Sequence, residues 1–126
     1  IFTEPYIFFQ SDVNNLEVEL DKNQLTRIIT NLLNNALDAV QDIENPAIFV
    51  KVSSDKNQLM ITISDNGKGI DEAVKDKVFE PKFTTKTSGM GLGLPMVKNI
   101  IETYNGTISF TSETNKGTTF IITLPI

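Results

Sequence analysis

Cysteine and histidine are both absent from this chain of 126 residues. The absence of cysteine excludes a disulfide framework and a thiolate metal site, and it is compatible with the cytosol. The absence of histidine removes the most common general base and the most common metal ligand among the side chains. It also removes any imidazole that could carry a phosphoryl group within the chain.

Positive charge and long apolar runs are scarce as well. The chain has 11 basic and 16 acidic residues and a net charge of −5, which argues against a nucleic-acid partner. It contains neither an apolar run long enough to span a membrane nor a signal-peptide pattern. A hydrophobic content of 40% and this length favour one globular domain. Because the sequence begins with isoleucine rather than methionine, we expect it to be a piece of a longer protein.

The spacing of apolar residues predicts a mixture of strands and helices. Asp21 is predicted to cap a long helix with Gln24 as its capping-box partner, and Asn45-Pro46 breaks that helix. The other predicted elements are strands at 6–9, 16–20, 47–53, 58–64, 107–112 and 118–124, a short helix at 71–79, a loop at 80–90 and a helix from 91–93 to 105–106. This order predicts an α+β fold, a sandwich of a mixed sheet with its helices on one face.

Glycine is concentrated in two clusters, Asp65–Ile70 and Gly89–Leu94, about twenty residues apart. Glycine allows the backbone to approach a ligand closely, and glycine loops present N–H groups to phosphate. The first cluster follows an apolar strand, and the second opens a helix, where free N–H groups and the helix dipole favour an anion. Each cluster alone is a weak signal, because flexible loops often contain glycine. Two clusters in one short chain favour a nucleotide site.

Asn31 and Asn35 lie one turn apart on the long helix, at the edge of its apolar stripe. Asparagine is a poor helix former, and the simplest interpretation is a polar flank that faces water. The alternative is a pair of amide oxygens placed for Mg²⁺, which needs few protein ligands when phosphates supply the rest.

Asp65 also has two interpretations, because Asp-Asn-Gly is a common turn sequence. The functional alternative is a carboxylate that accepts a hydrogen bond from an exocyclic amine, with Gly67 and Gly69 leaving room for a planar base. Thr118 follows Gly117 and would otherwise be an ordinary strand threonine.

Phe79 and Phe83 bracket Glu80-Pro81-Lys82 at the start of the long loop. They are either two core aromatics or a hinge that anchors the loop on the body of the domain. Lys86 in the same loop is either a solvated charge or a side chain that reaches a phosphate when the loop closes. Loops of this length in compact domains are often lids.

In this order, the motifs resemble those of the catalytic, ATP-binding domain of sensor histidine kinases. That family belongs to a wider group that includes the gyrase, Hsp90 and MutL ATPases. Residues 28–40 resemble the N box, Asp65–Ile70 the G1 box, Phe79–Phe83 the F box and Gly89–Leu94 the G2 box, while residues 117–120 are similar to the closing strand. The match spans almost the whole chain, so we expect residues 1–126 to form one catalytic and ATP-binding domain.

The resemblance implies a Bergerat fold, with a mixed, mainly antiparallel sheet of about five strands, three helices on one face and a mobile ATP lid. It implies ATP and Mg²⁺ as cofactors, with Asn35 and then Asn31 as metal ligands. Asp65 would receive the adenine amine, and Phe79 and Phe83 would anchor the lid. The other implied nucleotide contacts are Gly67, Gly69, Ile70, Lys86, Gly89, Gly91, Leu92, Gly93, Leu94 and Thr118.

Two departures from the family pattern affect the expected chemistry. In the hydrolytic branch a glutamate stands four residues before the Mg²⁺ asparagine, but here that position is Asn31, which cannot act as a general base. Some kinases carry basic or aromatic residues just after the N box asparagine, where this chain has Asp38 and Ala39. The first departure favours phosphoryl transfer over hydrolysis, and the second makes Lys86 more important for phosphate contact.

The resemblance therefore implies a domain that donates the γ-phosphate of ATP to a histidine on a separate upstream dimerisation domain, in two-component signal transduction. The partners would be that phosphoacceptor domain and a response regulator receiver domain, with no nucleic acid and no membrane contact. We expect the fragment to be cytoplasmic, monomeric and unable to autophosphorylate alone, whether or not its parent is membrane-anchored. Two alternatives are a hydrolytic ATPase module of the gyrase or MutL type and a non-catalytic nucleotide-binding scaffold.

Overall fold

A five-stranded sheet with helices packed on one face forms the domain in a computed structural model that describes residues 6–12, 20–55, 57–80 and 93–126. The strands are β1 (Tyr6–Ser11), β2 (Ala47–Ser54), β3 (Gln58–Asp65), β4 (Thr107–Glu113) and β5 (Gly117–Pro125). The helical segments are α1 (Lys22–Ala39), a short 3₁₀ helix (Glu72–Lys77) and α2 (Gly93–Thr103). The predicted strand at 16–20 and loop at 80–90 lie almost wholly outside the described residues.

The strands lie in the order β1-β2-β3-β5-β4 across the sheet. Among the described strands only the β1–β2 pair is parallel, and the other three neighbouring pairs are antiparallel. This mixed, mainly antiparallel sheet confirms the predicted α+β class. None of the helices in the described ranges has the length and apolar character required to cross a membrane.

The core lies between the sheet and the two long helices. Apolar residues alternate along β3 and β5, so that one face of each strand is buried while the other is partly exposed. From the helices, α1 contributes residues at helical spacing and α2 contributes Val97, Ile100 and Ile101, as the periodicity predicts. The buried residues of α1 are Ile28, Leu32 and Ala36, and those of β3 and β5 include Leu59, Ile61, Ile63, Phe120, Ile122 and Leu124.

Asp21 caps α1 as predicted, but the role predicted for Gln24 is wrong in its details. The Asp21 carboxylate accepts hydrogen bonds from the backbone N–H groups of Asn23 and Gln24, at 2.7 and 3.4 Å. The Gln24 side chain does not return to the Asp21 N–H directly, because the Tyr104 hydroxyl lies between them. That hydroxyl accepts from Asp21 N at 3.3 Å and donates to Gln24 Oε1 at 2.6 Å. The capping interaction therefore joins the start of α1 to the chain just after α2.

Candidate functional site

The predicted base end of the site, where Asp65 would receive the adenine amine, lies at the end of β3, and Asp65 is the last residue of that strand. Asp65 pairs in register with Ile48 on β2 and with Thr118 on β5. Because Ile63 faces the core, the strand alternation places Asp65 and the buried Thr118 on the same helix-covered face. The Asp65 Oδ1 atom accepts a hydrogen bond from Gly67 N at 2.9 Å, which orients the carboxylate.

Asn66 holds the end of β3 to the start of β2. Its Oδ1 atom accepts from Ala47 N at 2.8 Å, and its Nδ2 atom donates to the carbonyl of Asn45 at 3.0 Å. Asn45 adopts a positive φ of 55°, and the Asn66 amide fixes this turn. Asn66 thus stabilises the fold, while its neighbour Asp65 faces the helical side of the sheet.

Gly67 and Gly69 are required by close packing against neighbouring protein backbone. A Cβ atom on Gly67 would lie under 3.0 Å from the backbone of Ala39, at the end of α1. A Cβ atom on Gly69, which has a φ of 76°, would come equally close to the carbonyl of Glu113. Backbone hydrogen bonds from Lys68 N to Ala39 O at 3.0 Å and from Asn115 N to Lys68 O at 2.8 Å complete the contact. The loop after Asp65 is therefore fixed between α1 and the β4–β5 hairpin.

Asn31 meets the first residue of α2. Its Nδ2 atom donates to the carbonyl of Arg27, one turn earlier, at 2.8 Å. A Cβ atom on Gly93 would lie under 3.0 Å from Asn31 Oδ1, so the amide oxygen faces the N-terminus of α2. Backbone N–H groups at a helix N-terminus and an amide oxygen are therefore adjacent here.

One face of α1 connects the two ends of the candidate site. Asn31, Asn35 and Ala39 follow one another at intervals of four residues and therefore lie along the same side of the helix. The first of them contacts Gly93 and the last contacts Gly67. At 1.5 Å per residue, about 12 Å of helix separates these contacts. The half-buried Asn35 lies between them.

Phe79 packs on the domain body through aromatic contacts. Its ring makes an edge-to-face contact with Phe110 on β4 at 5.9 Å, and Phe110 in turn contacts Phe120 at 5.6 Å. The Lys98 ammonium of α2 lies 5.3 Å from the centre of the Phe79 ring. Phe79 therefore fixes the chain just before residue 81 to both the sheet and α2.

Of the other predicted site residues, two lie in the described ranges and five lie outside them. Leu94 is a core residue with only 6% of its surface exposed, so its contribution to a ligand would be limited to its backbone. Ile70 is half-buried, and its N–H donates to the hydroxyl of Ser112 at 2.7 Å. Ser112 was not identified by the sequence reasoning, because a lone serine in a strand carries no local signal. Five predicted residues lie outside the described ranges: Phe83, Lys86, Gly89, Gly91 and Leu92.

A protein-family model described as histidine kinase-, DNA gyrase B-, and HSP90-like ATPase matches residues 20–126. The chain belongs to this ATPase family. The match includes every described residue of the candidate site, from Asn31 on α1 to Thr118 on β5.

Individual relatives within the family are kinases. The sensor histidine kinase ZraS of Escherichia coli is 40% identical over 110 residues, which cover 87% of this chain and 23% of ZraS. Sporulation kinase A of Bacillus subtilis is 38% identical over 105 residues, which cover 83% of this chain and 17% of that protein. The chain thus spans about a quarter or less of the length of these curated relatives.

Solved structures of histidine kinases share the fold. The nucleotide-free catalytic domain of histidine kinase ThkA has a TM-score of 0.84 at 34% identity, covering 96% of this chain and 78% of that one. ThkA crystallised in complex with the response regulator protein TrrA has a TM-score of 0.78 at 30% identity, covering 96% of this chain and 34% of that one. These similarities confirm the resemblance inferred from the motifs, and the chain is a catalytic, ATP-binding domain of the histidine kinase type.

Proposed function

We propose that this domain binds Mg·ATP and donates the γ-phosphate to a histidine on a separate upstream dimerisation domain of its parent protein. A response regulator receiver domain would then be the next acceptor in the relay. The observation that supports this proposal best is the α1 face that links Asp65 and Gly67 at one end to Gly93 at the other. A nucleotide lying along this face would have its base near Asp65 and its phosphates near the N-terminus of α2.

The base end of this arrangement offers a carboxylate and a hydroxyl side by side. Asp65 and Thr118 are register partners on β3 and β5, and Thr118 is only 5% exposed. A carboxylate oriented by the N–H of Gly67 suits an exocyclic amine, because an ionised acceptor makes the stronger kind of hydrogen bond. We assign Asp65 to the adenine amine and Thr118 to support of the base.

The phosphate end fits a magnesium ion that is held mainly by the nucleotide. The Asn31 amide donates to Arg27 O and presents its oxygen toward Gly93, and Asn35 lies one turn further along the same face. The described parts of the chain contain no cluster of three or more carboxylate, histidine or cysteine ligands. Mg²⁺ commonly takes one or two protein oxygens plus phosphates and water. We assign Asn35 and Asn31 as its ligands; when bound, the ion neutralises phosphate charge.

Phosphoryl transfer fits these residues better than hydrolysis does. Asn31 occupies the place from which a carboxylate would activate water, and a neutral amide cannot accept that proton. The domain would therefore act by positioning the nucleotide and by stabilising charge, which dominate phosphoryl transfer. Because the chain has no histidine, the acceptor must come from elsewhere. We propose a cytoplasmic location and a monomeric state for this domain.

The test uses γ-labelled ATP and the histidine-bearing domain of the parent protein, purified separately. We expect no label on this chain alone, label on the acceptor domain when the two are mixed, and no transfer when the acceptor histidine is replaced. Label on this chain itself would contradict the proposal. Release of labelled phosphate at the same rate with and without the acceptor domain would instead favour a hydrolytic ATPase.

Gly93→Ala should displace Asn31 without removing it. The added Cβ atom would come under 3.0 Å from the amide of Asn31, so that side chain must rotate away from its present position. Alanine is the better helix former, so the free energy of unfolding should not fall by more than about 1 kcal/mol. We expect the dissociation constant for Mg·ATP, measured by calorimetry, to rise about 3- to 10-fold, the scale of one hydrogen bond.

A double-mutant cycle provides the control for Gly93→Ala. Asn31→Ala should weaken Mg·ATP binding by a similar factor, and the double variant should be no weaker than the more affected single variant. If the two losses simply add, the effect of Gly93→Ala does not act through Asn31.

A further inference from the structure

Ser112, on β4, is the centre of a hydrogen-bond network beside the base end of the site. Its Oγ atom accepts from Ile70 N at 2.7 Å and lies 2.8 Å from Thr118 Oγ1 and 3.2 Å from the carbonyl oxygen of Gly117. Its own carbonyl accepts from the Lys75 ammonium at 2.7 Å, which ties this end of β4 to the 3₁₀ helix. One serine thus contacts the loop after Asp65, the start of β5 and the buried threonine of the proposed site.

The number of available protons favours one direction for these hydrogen bonds. A serine hydroxyl has one proton to donate and two lone pairs that accept. The Ile70 N–H can only donate and the Gly117 carbonyl can only accept, so Ser112 receives from the first and donates to the second. By geometry alone either hydroxyl of the Ser112–Thr118 pair could donate, but with its one proton on the Gly117 carbonyl Ser112 accepts from Thr118. In this arrangement the proton of Thr118 is used inside the protein.

This direction determines what Thr118 can offer to a ligand. With its proton committed to Ser112, the Thr118 oxygen has only lone pairs left, and it is therefore a hydrogen-bond acceptor toward the site. Its register partner Asp65 is a carboxylate and also only accepts when ionised. Asp65 and Thr118 are then both acceptors. They match an amine, which donates two hydrogens, and they oppose a carbonyl oxygen at the same place.

We propose that Ser112 is a positioning residue that fixes the Thr118 hydroxyl as an acceptor and thereby makes the site prefer a 6-amino purine over a 6-oxo purine. This inference rests on the proposed function, because it assumes that the base lies against Asp65 and Thr118. Ser112 itself would not contact the nucleotide. Its effect is on the choice of base. Without Ser112, the Thr118 hydroxyl could rotate and donate to a 6-oxo group, so that the site would bind both kinds of purine.

The test compares the dissociation constants of ATP and inosine triphosphate, which carries a carbonyl in place of the amine. The wild-type chain should bind ATP at least about tenfold more tightly, because a 6-oxo base leaves polar groups unpaired. In Ser112→Ala we expect ATP binding to weaken about 3- to 10-fold, with inosine triphosphate unchanged or tighter, so that the preference falls. Ser112→Thr keeps the hydroxyl and should restore the preference. Ser109→Ala, an exposed position on the same strand, should leave it unchanged.

Four outcomes decide between the inference and its alternatives. Equal weakening of both nucleotides in Ser112→Ala would show a purely structural role and overturn the inference. No change in the binding of either nucleotide in that variant would overturn it as well. Thr118→Val keeps the side-chain shape without the hydroxyl, and it must also lower the preference, even if Ser112→Ala does not fold. If the wild-type chain binds neither nucleotide, the proposed function itself is wrong, which is a different failure.

Discussion

Replacing Asp65 with asparagine should weaken ATP binding by about 1–3 kcal/mol, or roughly 5- to 150-fold in Kd, the scale of a charge-assisted hydrogen bond. Asparagine has the same shape, and its amide oxygen can still accept from Gly67 N–H, which now holds Oδ1 at 2.9 Å. The other side-chain position becomes an NH₂ group, a donor facing the adenine amine. The loss should therefore appear in binding rather than in the free energy of unfolding. Isothermal titration calorimetry and thermal unfolding of the same samples measure both quantities.

The matched control for this substitution is Asp71→Asn. Asp71 caps the 3₁₀ helix by accepting from Ala73 N at 3.3 Å, and asparagine is an equally good capping residue. Both variants reduce the negative charge of a chain at −5, which by itself would favour an anionic nucleotide. If binding weakens in Asp65→Asn but not in Asp71→Asn, the loss is a local effect at Asp65 and not an effect of net charge. An unchanged Kd in Asp65→Asn would remove this residue from the adenine role.

Gly117→Ala should destabilise the fold by about 2–5 kcal/mol, because it combines backbone strain with overpacking. Gly117 has a φ of 134°, which side chains with a Cβ rarely adopt, and an added Cβ would lie under 3.0 Å from the backbone of Asp65 and close to Asn66. This strain would lie at the start of β5, next to Thr118 and its register partner Asp65. Urea denaturation monitored by circular dichroism would show the midpoint falling at an unchanged m-value.

Lys116→Ala is the control in the same turn. Lys116 is exposed and forms an exposed ion pair with Glu113 at 3.3 Å, so its loss should change the free energy of unfolding by no more than about 0.5 kcal/mol. If Gly117→Ala and Lys116→Ala have the same small effect, the close contact between Gly117 and the Asp65 backbone does not constrain the fold.

Much of the architecture could be predicted from local patterns. The stripe of α1, the alternation of β3 and β5 and the helix that ends at Asn105-Gly106 all follow from short-range periodicity. Even there, a detail differs at the end of α2. Asn105, with a φ of 63°, takes the left-handed position, and Gly106 follows it because a Cβ there would meet the carbonyl of Thr123. Contacts between distant strands and helices are not encoded in the local sequence.

The prediction of the candidate site is limited in the same way, because local sequence does not encode long-range contacts. The order of its motifs predicts which residues belong together, and the family match confirms the resemblance on which this prediction depends. The sequence reasoning could not show that Gly93 lies against Asn31 or that Gly67 lies against Ala39, because these contacts join elements far apart in the chain. For the same reason it did not identify Tyr104 or Ser112 as bridging residues.

Calorimetric titration of the chain with a non-hydrolysable ATP analogue, with and without Mg²⁺, tests the central proposal most directly. We predict saturable binding at one site per chain below millimolar nucleotide, tighter with Mg²⁺ than without it, and weakened by Asp65→Asn but not by Asp71→Asn. The absence of binding at millimolar nucleotide in both conditions would contradict the assignment of this face of α1 to ATP.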